Sequence, residues 1–293
     1  MKKLLVTGAS GFLGWHLCQI AREEWEVCGT YFSQEIEIPG VDLAQVDLRD
    51  VGELKAYFDR IRPDAVIHAA ARSKPNFCQT HPEESYRTNV TVSADIAQLC
   101  AEASIPCVFT STDLVFDGLN PPYRETDPVC PVNVYGQQKV AAETEILSRH
   151  PQAVVCRMPL MFGTVPPTAT TFLQSFLTAL REGRALSLFA DEVRTPVSGT
   201  TAARGLLLAV EKGHDILHLG GPERISRYEF GRVLAEVMDF PQELLAPCKQ
   251  ADVKMAAPRS PDVSLDSSKA VSLGYQTRSI REELEALREM GIN

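Results

Sequence analysis

The sequence has few of the features that mark nucleic-acid, metal or membrane proteins. It contains no run of Lys and Arg, and its 29 basic against 38 acidic residues give a net charge of -9, which disfavours binding to a polyanion. It has no C-x-x-C pair and no cluster of His, so we expect no metal site. No apolar run approaches the ~20 residues that span a bilayer. We therefore expect neither nucleic acid nor a membrane as a partner.

Disulfides and a secretory leader are also not expected. The eight cysteines are scattered singly, several within apolar runs, which indicates reduced core residues. The N-terminus leads directly into a strand-like segment, so the pattern predicts a soluble cytosolic protein. The cysteines are Cys18, Cys28, Cys78, Cys100, Cys107, Cys130, Cys156 and Cys248.

The most informative stretch is the glycine-rich segment at residues 3–14. An apolar strand leads into a turn with Gly8, Gly11 and Gly14, and an apolar-periodic segment follows. Glycines permit a tight turn and close approach of a pyrophosphate, and the N-terminus of the following helix favours an anion. The spacing is G-x-x-G-x-x-G rather than G-x-G-x-x-G. It predicts a dinucleotide site in modified form, with an ordinary strand-to-helix turn as the alternative.

Strands alternate with helices through the first 163 residues. With 44% hydrophobic residues over 293 positions, this alternation predicts an α/β fold with a doubly wound, Rossmann-type parallel sheet. Ligands bind at the carboxyl ends of such strands, so the ends at 69–72, 110–113 and 159–163 should line one crevice with Gly8. The predicted strands are 3–7, 25–32, 43–46, 64–71, 106–112 and 153–158, and the predicted helices are 50–61, 82–102 and 135–147.

The sequence changes character after residue 163. We expect residues 1–163 to form a dinucleotide-binding domain and residues 164–293 a smaller α/β substrate-binding part, some of which rejoins the main sheet. A capping box of Ser226 and Glu229 begins one of its helices. The predicted elements are helices 171–182, 200–211, 226–238, 264–273 and 280–290, with strands near 186 and at 216–219.

Tyr135 and Lys139 are the strongest candidates for catalysis. Their separation of four residues places both on one helix face. A free phenol has a pKa near ~10, and an adjacent ammonium lowers it. The pair therefore predicts a general acid/base, with an ordinary surface pair as the alternative.

Taken in order, these motifs resemble the extended short-chain dehydrogenase/reductase family over nearly the whole chain. Within that family the chain is most similar to the dTDP-4-dehydrorhamnose reductase group of sugar nucleotide-binding proteins. Residues 111–118 resemble its S-T-D-Y-V-F-D-G signature, and residues 122–136 match its P-Y-x-E-x-D and N-x-Y-G run. Further similar pieces are Asp47-Leu48, residues 68–71 and Asn89.

The resemblance implies an NADP or NAD cofactor that supplies hydride while the protein supplies orientation and a proton. Lys139 would bind the nicotinamide ribose and lower the pKa of Tyr135. Tyr135 would protonate the substrate carbonyl oxygen, to which Thr112 would also hydrogen-bond. The implied cofactor-binding residues are Gly8, Gly11, Phe12, Leu13 and Gly14 in the turn, Thr30, Asp47 and Leu48, Ala69, Ala70 and Ala71, Thr110, Tyr135 and Lys139.

The implied substrate contacts include departures from the family pattern. Asp113 would touch the sugar, and Leu160 and Leu114 stand where the group has aromatic residues, which changes the stacking area. Arg194 and Arg259 would bind a diphosphate through their guanidinium forks, unless they form surface salt bridges.

Several of these residues have simpler alternatives. Asp47 could begin a helix as its cap, Thr112 could bond the backbone, and Asn89 could lie on an exposed helix face. His218 is interpreted as a buried core histidine. The segment 29–33 lacks both an acidic residue for a ribose 2′-hydroxyl and an Arg or Lys for a 2′-phosphate, so Ser33 and backbone groups would bind the phosphate. We expect NADP in preference to NAD.

The leading hypothesis is a reductase that transfers hydride to the keto group of a nucleotide-activated sugar, as in dTDP-rhamnose biosynthesis. One alternative is an epimerase or dehydratase that retains NAD. Another is a non-catalytic, dinucleotide-binding regulatory subunit resembling the β subunit of methionine adenosyltransferase, which shares the S-T-D-x-V-F-D-G signature. The sequence leaves open whether the chain forms a homodimer.

Overall fold

A parallel sheet of seven strands forms the centre of the computed structural model, which describes residues 1–292. The strands in chain order are β1 Lys3–Thr7, β2 Glu26–Tyr31, β3 Val41–Gln45, β4 Ala65–His68, β5 Cys107–Thr112, β6 Val154–Met158, β7 Met161–Phe162, β8 Leu186–Phe189, β9 Val193–Arg194, β10 Val197–Ser198, β11 Ile216–His218, β12 Ile225–Ser226 and β13 Leu245–Cys248. The sheet has the order β11-β6-β5-β4-β1-β2-β3. This confirms the predicted doubly wound α/β fold.

Helices cover both faces of the sheet. They are α1 Phe12–Ala21, α2 Val51–Ile61, α3 Pro75–Thr80, α4 Pro82–Tyr86, α5 Val92–Ala103, α6 Val134–Arg149, α7 Phe172–Arg181, α8 Gly199–Lys212, α9 Arg227–Val237, α10 Ser268–Leu273 and α11 Ile280–Glu289, with a π-helical turn at Arg87–Thr91. Short 3-10 turns lie at Asp113–Val115, Gln242–Leu244 and Gln250–Asp252.

Two apolar cores form on opposite faces because side chains alternate along each strand. Leu4 and Val6 of β1 belong to the core beneath α1 and α8, whereas Leu5 belongs to the core beneath α2, α5 and α6. Strands buried on both faces carry nearly continuous apolar runs. This explains why the strands were recognisable from sequence.

The chain reverses its direction of winding between β1 and β4. From β1 it proceeds outward to β2 and β3, and then it crosses back to β4 on the other side of β1. Loops at the carboxyl ends of β1 and β4 therefore diverge and leave a crevice, which is the usual ligand position in such sheets.

The C-terminal residues form a third core and also extend the main sheet. Helices α7, α9 and α11 pack with β8 and β13 around Leu177, Phe230 and Leu284. Strand β11 instead pairs in parallel with β6, and the amide of Val155 donates to the carbonyl of Asp215 at 2.8 Å.

Four local predictions are wrong in part. The helix expected over 264–273 begins only at Ser268, because Leu265 forms a parallel bridge to Tyr123. The strand expected over 64–71 ends at His68, where the chain leaves the sheet. The helix expected over 82–102 includes a π-helical turn, and α3 precedes it without a sequence signal. The cysteines were expected to lie in the core, but Cys130 is exposed and Cys248 is half-buried.

Two expected absences can be compared with the structure. No helix within residues 1–292 is long and apolar enough to cross a membrane. Across the same residues, no group of three or more His, Cys, Asp or Glu side chains has the arrangement of a metal site.

Candidate active site

The glycine-rich turn joins β1 to α1 with very little space around its backbone. Gly8 has a φ of +73°, and a Cβ added at Gly14 would lie 2.1 Å from the Gly8 carbonyl oxygen. Positive φ favours glycine, and the contact at Gly14 requires the absence of a side chain. Gly11 caps α1 with extended backbone. The turn therefore exposes the N-terminus of α1 at the crevice, where an anion is favoured.

A cleft of about 370 Å³ lies at this turn. Every residue predicted to bind the cofactor lines this cleft. The residues lie on both sides of the position between β1 and β4 where the chain reverses its direction of winding. These are Gly8, Gly11, Phe12, Leu13, Gly14, Thr30, Asp47, Leu48, Ala69, Ala70, Ala71, Thr110, Tyr135 and Lys139. The residues come from six separate segments: five lie at or after the carboxyl ends of parallel strands, which share one edge of the sheet, and the sixth is the first part of α6.

Tyr135 reaches the cleft from the first turn of α6. Asn133 begins this helix, and its Oδ1 accepts from the Gly136 amide at 2.9 Å, as expected of an N-cap. A Cβ added at Gly136 would lie 2.2 Å from the carbonyl oxygen of Leu114. Glycine at 136 thus lets α6 approach the end of β5, which brings the phenol of Tyr135 beside Thr112.

Lys139 lies one turn further along the same face of α6. Its Nζ donates to the carbonyl oxygen of Thr110 at 2.7 Å and lies 4.5 Å from the ring centroid of Phe109 and 6.0 Å from that of Tyr135. The side chain is almost fully buried, with 1% of the residue exposed. The surface-pair alternative for Tyr135 and Lys139 is therefore wrong.

Burial is the main cause of the pKa shifts of Tyr135 and Lys139. It raises the pKa of Tyr135, with Cys78 and Asp113 acting in the same direction, while the Thr112 hydroxyl acts to lower it. Burial also lowers the pKa of Lys139 to about 8, against the opposing charge of Glu143. The expectation that Lys139 depresses the pKa of Tyr135 fails because burial dominates. Tyr135 therefore stays protonated at neutral pH and can donate a proton.

The buried ammonium makes a testable contribution to stability. The pKa of Lys139 is about 8 in the folded protein and 10.5 for the free side chain. Burying the protonated amine therefore lowers the free energy of unfolding, and this loss is present in full below pH 8. It disappears between pH 8 and 10.5, where the folded state loses its proton first. Relative to Lys139→Met, the wild-type protein should gain about 2 kcal/mol of unfolding free energy between pH 7 and pH 10. Denaturant unfolding at both pH values measures this; a difference independent of pH would contradict it.

Thr112 is the last residue of β5, and Asp113 begins the 3-10 turn that follows it. The Oγ1 of Thr112 accepts from the Leu114 amide at 3.2 Å and donates to Asp113 at 3.1 Å, so the backbone-bonded alternative describes part of its role. Asp113 is only 2% exposed, and its Oδ2 accepts from Arg194 at 2.8 Å. Burial raises the pKa of Asp113 while Arg194 opposes the shift. Asp113 is thus committed to protein partners rather than open to a sugar.

A buried cluster of arginines surrounds Glu192 next to this strand end. Arg194 donates to Glu192 at 3.3 Å, and so does Arg227. Burial acts to raise the pKa of Glu192, but the charges of Arg194, Arg227 and Arg259 outweigh it and lower that pKa. Three buried N–H atoms have no hydrogen-bond partner within residues 1–292: Nε of Arg194, Nη1 of Arg227 and Nε of Arg259. Such donors favour an anionic ligand.

Arg227 was missed by the sequence analysis. It begins α9 directly after the capping box of Ser226 and Glu229, and only the fold places it beside Glu192. The surface salt-bridge alternative is wrong for Arg194, which is 5% exposed.

The cleft lining also includes an arginine that the sequence did not indicate. Arg49 lines the cleft together with Phe32, Ser33 and Asp47. The segment 29–33 itself contains no basic residue, but Arg49 comes from the segment that follows β3. The alternative for Asp47 as a helix cap is wrong, because Asp50 caps α2.

The remaining candidates occupy supporting positions. Asn89 is fully buried, accepts from the Arg72 amide at 2.8 Å and donates to Gln138 at 2.8 Å, so the exposed-face alternative is wrong. His218 is buried and hydrogen-bonds the carbonyl of Tyr123 at 3.1 Å, as a core histidine would. Leu160 is half-buried, next to the cleft-lining Met161.

The chain is similar to known proteins over nearly all of its length. A family model described as RmlD substrate binding domain matches residues 1–290. The probable low-salt glycan biosynthesis reductase Agl14 of Haloferax volcanii is 30% identical, covering 96% of both chains. The methionine adenosyltransferase 2 subunit beta of Xenopus laevis is 29% identical, covering 97% of this chain and 87% of that protein.

Solved structures agree with the fold. A hypothetical dTDP-4-dehydrorhamnose reductase from Sulfolobus tokodaii is 31% identical with a TM-score of 0.84, covering 96% of this chain and 98% of that one. A dTDP-4-dehydrorhamnose reductase from Bacillus anthracis, in complex with NADP, is 21% identical with a TM-score of 0.86, covering 99% and 100% of the two chains. At that identity the second likeness concerns the fold alone.

Proposed function

This chain belongs to the family described as the RmlD substrate binding domain, within the extended short-chain dehydrogenases/reductases, and from this we propose that it reduces the keto group of a nucleotide-activated sugar with a nicotinamide dinucleotide. The similarity to the probable reductase Agl14 and to the hypothetical dTDP-4-dehydrorhamnose reductase from Sulfolobus tokodaii supports an oxidoreductase.

The observation that carries the proposal is that Tyr135 and Lys139 both line one cleft. Thr112, at the end of β5, is not part of that lining, but its hydroxyl acts on the Tyr135 phenol. Reduction of a ketone places a proton on the carbonyl oxygen, and burial keeps the Tyr135 phenol protonated for that purpose. Thr112 would offer its hydroxyl to the same oxygen, and Lys139, whose Nζ lies 6.0 Å from the ring centroid of Tyr135, would provide a cation near the phenol. A protonated phenol suits the reductive direction better than the removal of a proton.

The cleft fits a dinucleotide at the glycine-rich turn. Thr30 lines it and is 1% exposed, and its hydroxyl has no hydrogen-bond partner within the described chain. A bound dinucleotide would supply the hydride. The turn would bind the pyrophosphate, Asp47 and Leu48 the adenine side, and Lys139 the nicotinamide ribose.

The arginine cluster supports a diphosphate in the substrate. We assign Arg227 and Arg259 to the diphosphate oxygens, because each has an unsatisfied buried N–H atom. Arg194 holds Asp113 and Glu192 through its other two nitrogens. Leu114 and Leu160 then remain as apolar contacts for the sugar.

The test is oxidation of NADPH and NADH with a panel of dTDP- and UDP-linked 4-keto sugars. Consumption of reduced cofactor by at least one sugar is expected, with product identified by mass. The relative named methionine adenosyltransferase 2 subunit beta favours a second candidate, a regulatory subunit. Dinucleotide binding without turnover of any keto sugar would overturn the reductase and support that candidate.

A further inference from the structure

Arg49 lines the cleft next to Phe32, Ser33 and Asp47. Strand β2 ends at Tyr31, and β3 pairs with it so that Tyr31 is opposite Gln45. The chain after β3 therefore runs past the residues that follow β2. As a result, the Arg49 guanidinium carbon lies 4.5 Å from the ring centroid of Phe32.

Two interactions hold the guanidinium in place. Its Nε and Nη2 donate to the two carboxylate oxygens of Asp47, both at 2.8 Å, and its face packs on Phe32. A bidentate pair fixes orientation as well as position. The third nitrogen, Nη1, has no acceptor among the residues that the structure describes, and 27% of the side chain is exposed at the cleft.

The charges around Arg49 suit an anion rather than a hydroxyl. Where a site prefers NAD, an acidic residue near the end of the second strand bonds the ribose 2′-hydroxyl; where it prefers NADP, an Arg nearby accommodates the 2′-phosphate. Here Thr30 and Tyr31 at the end of β2, and Phe32 and Ser33 after it, line the cleft, and none is acidic. Asp47 is the one carboxylate in the lining formed by residues 1–292, and Arg49 already neutralises it.

We propose that Arg49, oriented by Asp47 and Phe32, recognises the 2′-phosphate of the cofactor and makes this cleft selective for NADP(H) over NAD(H). The inference rests on the proposed dinucleotide site and deepens it, since it names the residue that decides between the two cofactors. Ser33 supplies a neighbouring hydroxyl for the same phosphate.

The test is equilibrium binding of NADP⁺ and NAD⁺, each alone, by titration calorimetry, so that no turnover is needed. Wild-type protein should bind NADP⁺ more tightly. Arg49→Ala should weaken NADP⁺ binding by about 10- to 100-fold, the loss typical of a charge-assisted hydrogen bond, and should change NAD⁺ binding by less than about threefold. Arg49→Lys should lie between, because lysine keeps the charge but cannot form the bidentate pair.

Arg60→Ala is the matched control. Arg60 also packs on an aromatic ring, 5.0 Å from the centroid of Tyr57, and it is exposed at the other end of α2, roughly 15 Å away by the rise of a helix. Its removal changes the net charge equally and should leave both affinities unchanged.

The outcomes separate this inference from the proposed function. Equal affinity of the wild type for both cofactors, or an equal loss for both in Arg49→Ala, would overturn the role of Arg49 and leave the dinucleotide site intact. Failure of the wild type to bind either cofactor would overturn both. Retained NAD⁺ binding by Arg49→Ala also serves as the check that the variant is folded.

Discussion

Tyr135→Phe should lower kcat for keto-sugar reduction by about 10²- to 10⁴-fold, the usual contribution of a positioned general acid. The ring would keep its place, because Tyr135 packs in the core cluster that includes Leu114 and Val115. Only the proton donor is removed, so the dissociation constant for NADP⁺ should stay within about threefold. Steady-state oxidation of NADPH, with cofactor titrations beside it, measures both quantities.

Tyr57→Phe provides the matched control for this experiment. The Tyr57 hydroxyl is buried without a hydrogen-bond partner among residues 1–292, and it lies in the core cluster beneath α2 rather than in the lining of the cleft. Removing this hydroxyl should leave kcat unchanged. It should also not reduce the free energy of unfolding, because the hydroxyl makes no hydrogen bond within those residues that would be lost. If Tyr135→Phe kept activity equal to that of Tyr57→Phe, the phenol would not be the acid.

Arg157→Met should cost about 3–5 kcal/mol of unfolding free energy, because it leaves Glu143 charged and unpaired in the interior. Arg157 is 3% exposed and donates to Glu143 at 3.1 and 2.8 Å. Ser111 also donates to Glu143, so the pair links β5, β6 and α6 directly behind the catalytic face. Chemical denaturation followed by circular dichroism measures the loss.

Two further variants distinguish the loss of the buried Arg157–Glu143 pair from the general effect of removing a positive charge. Replacing Arg157 by Met and Glu143 by Leu together should restore part of the stability, since no carboxylate is left without its arginine, whereas Lys139 loses the opposing charge of Glu143. Lys55→Ala, which breaks an exposed pair with Asp59 at 3.3 Å, should cost less than about 1 kcal/mol. A loss in Arg157→Met no larger than that of Lys55→Ala would contradict the expected cost of breaking the buried pair.

The features that sequence predicted well are those that neighbouring residues determine. The turn with Gly8, Gly11 and Gly14 requires glycine for local reasons of φ and space, and the four-residue spacing of Tyr135 and Lys139 fixes a shared helix face. The central strands β1, β4, β5 and β6 were recognisable because both of their faces are buried. These patterns needed no knowledge of tertiary contacts.

The features that sequence missed depend on contacts between distant segments. Arg49 reaches the end of β2 only because β3 pairs with β2 in one register, and Arg227 reaches Glu192 only through the packing of α9. The helix expected to begin at Ser264 begins later because the chain there bridges to Tyr123. Such juxtapositions have no local signal, so spacing along the chain could not predict them.

Strand β11 limits how the molecule can be divided or recombined. It covers the outer side of β6, so a fragment ending near residue 163 would leave the amides and carbonyls of β6 free to pair with another chain. Such a fragment should self-associate through that strand even if its glycine-rich turn folds. A chimera that exchanges substrate-binding parts between relatives therefore has to keep each β6 with a compatible edge strand.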